Sequence, residues 1–164
     1  MTRRSIRKAS VDDVGLLVGI RNESVAYKVT LGDFAWGKVG WTAAVARQRI
    51  ELDEWYVIEL DETPAGMLSL SWEDQKYWGP QAPDAGYAHG ISVRDGFHGV
   101  GLGSYSIDWC ANQVRANHRN RLRLDCDVRN AKLCTYYESL GFARVATKAI
   151  SADYVASLYE RFVP

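Results

Sequence analysis

The sequence predicts a mixed α/β domain, and three observations carry that prediction. Near Trp55 the hydrophobic pattern changes period, from helical spacing to strand alternation. Beyond a glycine-rich turn at 96–103, strand and helix patterns alternate. The 164 residues, 47% hydrophobic and 24% charged, suit a single domain over 1–164 with one core.

Residues 6–8 suggest a short first strand. Ser10 offers a helix N-cap, with Asp13 three residues on in the place of the capping-box acid. Val14, Leu17, Val18 and Ile20 are then spaced for a helix over 11–22 laid on a core. Residues 27–41 are aromatic and broken by Gly32, Gly37 and Gly40, so they read as turn-rich. Thr42 leads into a second helix reaching about residue 52. From Trp55, the set Trp55, Val57 and Glu59 opposes Tyr56, Ile58 and Leu60, and a return strand over 66–71 makes a hairpin. The segment 72–86 contains Pro80 and Pro83 and is long for a structureless connection, a length typical of binding loops. A third strand over 87–93 precedes the glycine turn. Then follow a helix over 104–116, a strand over 122–128, a helix over 131–140, and a sharp exit at Gly141-Phe142 into further strand.

Charge and cysteine content narrow the function classes. Lys plus Arg and Asp plus Glu number 20 each, so the basic surplus usual in a duplex-binding protein is missing. The basic run at 115–123, which includes His118, reads as a solvated helix end. Cys110, Cys126 and Cys134 form no CxxC pair, and an odd number at irregular spacing argues against a disulfide framework or a structural zinc site. His89, His98 and His118 show no ligand spacing either, so no metal is expected. Free thiols suit a reducing compartment. Arg3 and Arg4 lead into polar residues instead of a signal-peptide core, and no apolar run approaches the roughly 20 residues of a membrane span. The expectation is a soluble cytoplasmic protein with neither a membrane nor a nucleic acid as partner.

The turn His98-Gly99-Val100-Gly101-Leu102-Gly103, followed by Ser104, lies between a strand and a helix. A helix start has unpaired N–H groups and a partial positive charge, and glycines let that backbone approach a phosphate. The turn lacks the Lys-Ser/Thr ending of a nucleotide P-loop, and it comes too late in the chain for a Rossmann fingerprint. Such turns also serve simply for close packing.

The residues that follow supply the specificity. His98-x-x-Gly101-x-Gly103, then Asn130, then Tyr137-x-x-x-Gly141-Phe142, is similar to the pattern of the GNAT superfamily, whose acyl-CoA loop reads Gln/Arg-x-x-Gly-x-Gly/Ala. The likeness covers 87–142, and His98 departs from it. It implies a mixed sheet of six to seven strands with about four helices, splayed at the third strand and the strand beginning near Leu122. It implies acetyl-CoA as acyl donor. The backbone of Ile91, Ser92 and Val93 would pair with the pantetheine arm, and N–H groups from Gly99 to Ser104 would hold the pyrophosphate. Asn130 would hydrogen-bond the pantetheine, and Tyr137 would protonate the departing thiolate. Arg94 or Lys132 would meet the 3′-phosphate, or each is solvated surface charge.

Amide formation needs a neutral amine, so a base must take its proton. The resemblance offers two candidates, His89, four residues before Val93, and Asp125, five residues before Asn130, with water as a third. Strand alternation puts Arg123, Asp125 and Asp127 on one face, which either lines a cleft or holds an internal Arg–Asp pair. Glu73 and Asp74, flanked by Trp72 and Trp78, suggest a seat for a cationic amine with an apolar body. The function expected is therefore acetyl transfer to a primary amine of a small molecule: an amino acid, a polyamine or an antibiotic-like amine. Acetylation of a protein N-terminus or lysine, and a non-catalytic acyl-CoA sensor, stand as alternatives. A homodimer is compatible with the class, though no apolar stripe requires it.

Overall fold

The computed structural model describes residues 1–52 and 54–164. One seven-stranded sheet runs through it in the order β1-β2-β3-β4-β5-β7-β6. Its members are β1 (Arg4–Lys8), β2 (Trp55–Leu60), β3 (Thr63–Ser71), β4 (Ala85–Val93), β5 (Arg121–Asp127), β6 (Ala143–Ser151) and β7 (Tyr154–Phe162). Four helices flank it: α1 (Val14–Thr30), α2 (Ala43–Leu52), α3 (Leu102–Ala116) and α4 (Ala131–Ser139). All ladders are antiparallel except β4 with β5.

The period change at Trp55 sorts the core by sheet face. Ile58, Leu68, Leu70, Leu122 and Leu124 pack with Ile107, Cys110 and Val114 of α3. Trp55, Val57 and Met67 point the other way, onto Leu17 and Ile20 of α1. Alternate residues of one strand thus serve two cores. The Ser10–Asp13 capping box forms, but on a short 3-10 turn at Val11–Asp13 that precedes the helix. Arg7 then locks that turn to the sheet, donating to both Asp13 oxygens at 2.9 Å and to Glu59 at 2.8 Å.

Strands β1, β3 and β4 begin two or three residues earlier than the sequence reading put them, and two larger differences concern α1 and the C-terminal strands. Helix α1 continues to Thr30, through residues read as the start of the turn-rich segment. Val25 is buried on its core face, and packing there extends the helix beyond the periodic stretch. The strand after Gly141-Phe142 is a hairpin: β6, exposed along nearly its whole length, pairs only with β7, and β7 inserts between β6 and β5. A strand this exposed has no buried face to pattern its residues, so its pairing is visible only in three dimensions.

Candidate active site

The parallel contact of β4 and β5 is brief. Ala85, Gly86 and Tyr87 pair with Arg121, Leu122 and Arg123, and there the register ends. From Ala88 to Val93, β4 has no strand partner on that edge among the described residues, while β5 turns its whole length to β7. On its other side, the β3–β4 register shifts between Met67 and Ser69. Gly90 lies within that irregularity at φ +61°, and a Cβ there would sit 2.6 Å from the Trp55 ring. Glycine is therefore required by both torsion and space. The splay opens a cleft of about 2030 Å³ whose wall includes Gly101, Asn130, Tyr137, His89, Asp125 and Arg21.

At one end is the glycine turn. Gly99 and Gly101 hold φ of +80° and +76°, and Gly101 is the N-cap of α3 without a side-chain acceptor. The first-turn N–H groups are thus left to face a ligand. Leu102 is buried and anchors the helix start, while Val100 is exposed. Ser104 Oγ donates to the Gly101 carbonyl at 3.1 Å, and Arg4 donates to the Val100 carbonyl at 2.7 Å. A Cβ on Gly103 would collide with the Tyr136 hydroxyl, so that glycine admits the close approach of α4. His98 is exposed, 3.6 Å from the Asp95 carboxylate. These features fit an anionic group held by backbone N–H donors.

At the centre, three polar side chains from different segments converge. His89 Nε2 lies 2.9 Å from Asp74 Oδ2, and Nδ1 lies 3.4 Å from Asp125 Oδ1. Tyr154 donates its hydroxyl proton to Asp125 Oδ2, and the Tyr77 N–H binds Asp74 Oδ1 at 3.0 Å. Oδ2 of Asp74 and Oδ1 of Asp125 are both buried and receive no aligned hydrogen bond among the described residues. Burial pushes the Asp125 carboxyl above its ordinary range, against the opposing pull of His89 and the Tyr154 hydrogen bond. The ligand atoms of Asp74, His89 and Asp125 lie within 4.8 Å of one another, so this trio is where a cation would sit. Tyr137 is buried against Phe142 and Tyr159, and its hydroxyl makes no hydrogen bond among the described residues. Burial holds that phenol far above its usual pKa, so it is protonated at neutral pH.

The sequence model of the acetyltransferase (GNAT) family matches residues 27–142. The chain belongs to that family. The uncharacterized N-acetyltransferase YesJ of Bacillus subtilis (strain 168) is 28% identical over 99 residues, 57% of this chain and 54% of that protein. The chain thus spans about half the length of that curated relative. Among solved structures, yncA from Salmonella typhimurium with its cofactor acetyl-CoA has a TM-score of 0.74 at 15% identity, over 99% of this chain and 95% of that one. The aminoglycoside acetyltransferase AAC(6')-Ib with coenzyme A has a TM-score of 0.77 at 17% identity, over 98% and 95%. These likenesses establish the GNAT fold.

Within this acetyltransferase frame, the residues expected from sequence fall into three groups. His89, Asp125 and Tyr137 line one cleft together with the glycine turn, as does Asn130. Asn130 is also the N-cap of α4, accepting from Leu133 N–H at 3.1 Å and donating to Asp33 at 2.8 Å, so its side chain serves the scaffold here. Asp127 is the structural member of its face, fully buried and held by Arg129. The acidic pair separates: Glu73 is exposed, while Asp74 is buried beside His89. The tryptophans flanking that pair do bind cations, but the chain's own. Arg119 lies 5.2 Å from the Trp72 ring and Arg123 lies 4.8 Å from the Trp78 ring. Arg94 donates to the Pro64 carbonyl at 2.9 Å, whereas Lys132 lines the cleft. Much of the basic run is likewise used internally, Arg121 and Arg123 on Glu160 and Arg119 on the Trp72 and Ala85 carbonyls.

Sequence reasoning missed Tyr77, Tyr154 and Arg21. Tyr154 reaches Asp125 only because β7 pairs with β5, with Asp125 opposite Leu158. Nothing local in the sequence marks that pairing.

Proposed function

We propose that this acetyltransferase moves the acetyl group of acetyl-CoA directly to a primary amine of a small molecule. The observation that carries this reading is the pair of buried carboxylate oxygens, Asp74 Oδ2 and Asp125 Oδ1, on either side of His89 in the same cleft as the glycine turn. An unmade acceptor in a buried site is costly unless a donor arrives, and an ammonium brings three. Once bound, the ammonium loses a proton to the His89–Asp125 group. The amine nitrogen then attacks the thioester carbonyl. The N–C bond forms, the C–S bond breaks, and Tyr137 donates to the departing sulfur. Because Tyr137 is a weaker acid than a thiol of pKa near 8.5, its contribution is a hydrogen bond to the developing thiolate ahead of any full transfer. The unpaired edge of β4 supplies backbone groups for the pantetheine, and the first turn of α3 supplies N–H groups for the pyrophosphate.

Calorimetric titration with acetyl-CoA tests the donor end, followed by an amine panel read by thiol release. Micromolar binding with turnover of a small amine is the expected result. Tight binding with no turnover of any amine would instead favour the sensor alternative. Tyr137→Phe should lower kcat about 100-fold or more while leaving acetyl-CoA binding within a few fold. Full turnover in that variant at every pH would remove Tyr137 from the mechanism.

A further inference from the structure

One cation of the cleft, Arg21, is shielded from solvent and answered by no carboxylate of the described residues. Arg21, on α1, forms no hydrogen bond or ion pair among them, and its Nε is shielded from solvent without an acceptor. Other basic groups of the fold differ. Lys28 is paired with Asp33 at 2.9 Å, and Arg7 with Asp13 and Glu59. Arg21 instead lies over Trp36, 4.0 Å from the ring centroid, and 4.9 Å from that of Trp41. A cation–π contact stabilises the charge but satisfies none of the five N–H donors. Burial first, then the charge of Arg49, pushes its pKa down to about 10. A guanidinium held this way is poised for an anion, and its planar fork matches a carboxylate.

Its place in the cleft relates that anion to the reacting amine. Nη1 of Arg21 is 3.7 Å from where a Gly90 side chain would begin, and Gly90 follows His89 directly. Tyr77 stands between the two ends. Its ring is 5.6 Å from that of His89, and its hydroxyl feels Asp125 and Asp74 as well as Arg21 and Arg49. The cleft therefore presents carboxylates and a guanidinium a short way apart.

We infer that Arg21 is an acceptor-recognition residue, and that the acceptor is a small amine bearing a carboxylate a few bonds from the nitrogen. This rests on the acetyl-transfer reading for its chemistry, but not for its binding. The ammonium docks at Asp74 and Asp125 while the carboxylate meets the Arg21 fork between Trp36 and Trp41. A multiply cationic amine would set an ammonium against Arg21, which disfavours polyamines.

The test pairs L-amino acids, β-alanine and 4-aminobutyrate with their uncharged amides, and adds spermidine. Binding is read by tryptophan fluorescence in the presence of CoA, and transfer by thiol release with acetyl-CoA. At least one carboxylate is expected to bind and react, with its amide about 10- to 100-fold weaker in kcat/KM through KM. Arg21→Gln should erase that preference, raising KM for the acid and sparing the amide, with KM for acetyl-CoA unchanged. Arg21→Lys should restore part of it. Failure of every carboxylate to bind wild type, a preference for amides or spermidine, or an equal effect of Arg21→Gln on acid and amide would each overturn the inference. Arg21-dependent binding of a carboxylate without acetylation would uphold the anion site and defeat the transfer reading instead.

Discussion

The Asp125 side chain is largely buried, accepts a hydrogen bond from the Tyr154 hydroxyl on one oxygen and faces His89 with the other. Its pKa is raised above the ordinary carboxylate value, first by burial. The sign of the linkage follows. Protonated, at low pH, the side chain costs little; ionised, above its raised pKa, it carries a desolvation penalty into the folded state. Asp125→Asn removes that penalty, so its Tm should rise relative to wild type at about pH 8 and converge with it below about pH 4. Activity should fall, since the amide cannot take part in proton transfer. Melting curves at the two pH values check this, and an equal shift at both would assign the effect to packing.

Among the elements, β4 does most to create the site, and Gly90 is its critical residue. With φ at +61° and the Trp55 ring where a side chain would go, Gly90→Ala should cost about 2 kcal/mol or more and weaken acceptor binding more than acetyl-CoA binding. Denaturant midpoints and separate KM values would show both. The segment between α1 and α2 is held in a different way. Asp33, buried, accepts from Lys28 on α1, from the Ala35 N–H and from Asn130 at the start of α4. Asp33→Ala leaves a half-buried Lys28 without its partner and should destabilise by about 3 kcal/mol. It also frees Asn130, so acetyl-CoA affinity reports whether that N-cap geometry matters to the donor.

Across the whole molecule, scaffold and site titrate in opposite directions. The Arg7 hydrogen bonds hold the Asp13 carboxyl below its usual pKa. Asp33 is likewise held low, because Lys28 and Asn130 outweigh the cost of its burial. Each contributes stability above the ordinary carboxylate pKa and loses it as pH falls through the lower folded value. Acidification from about pH 5 to about pH 3 should therefore lower Tm, even as protonation relieves Asp125. The scaffold is anchored by satisfied ion pairs, whereas Asp74 Oδ2, Asp125 Oδ1 and Arg21 Nε in the cleft have no aligned hydrogen bond among the described residues. That contrast locates function within the fold.

Local pattern determined much of this protein. The period change at Trp55 sorts Val57 from Ile58 onto opposite cores, and the spacing of Gly101, Gly103, Asn130, Tyr137 and Gly141-Phe142 marks the family and the proposed donor end of the cleft. These are properties of neighbours in sequence, so periodicity and motif can read them. The proposed acceptor end was decided by tertiary structure. Glu73 and Asp74 are adjacent in the chain, yet only Asp74 is turned inward to His89. Tyr154 meets Asp125 through strand pairing between β5 and β7, and Arg21 reaches the cleft from α1. Charge complementarity between residues this far apart in the chain leaves no periodic trace, because it arises only when the sheet splays and the helices close over it.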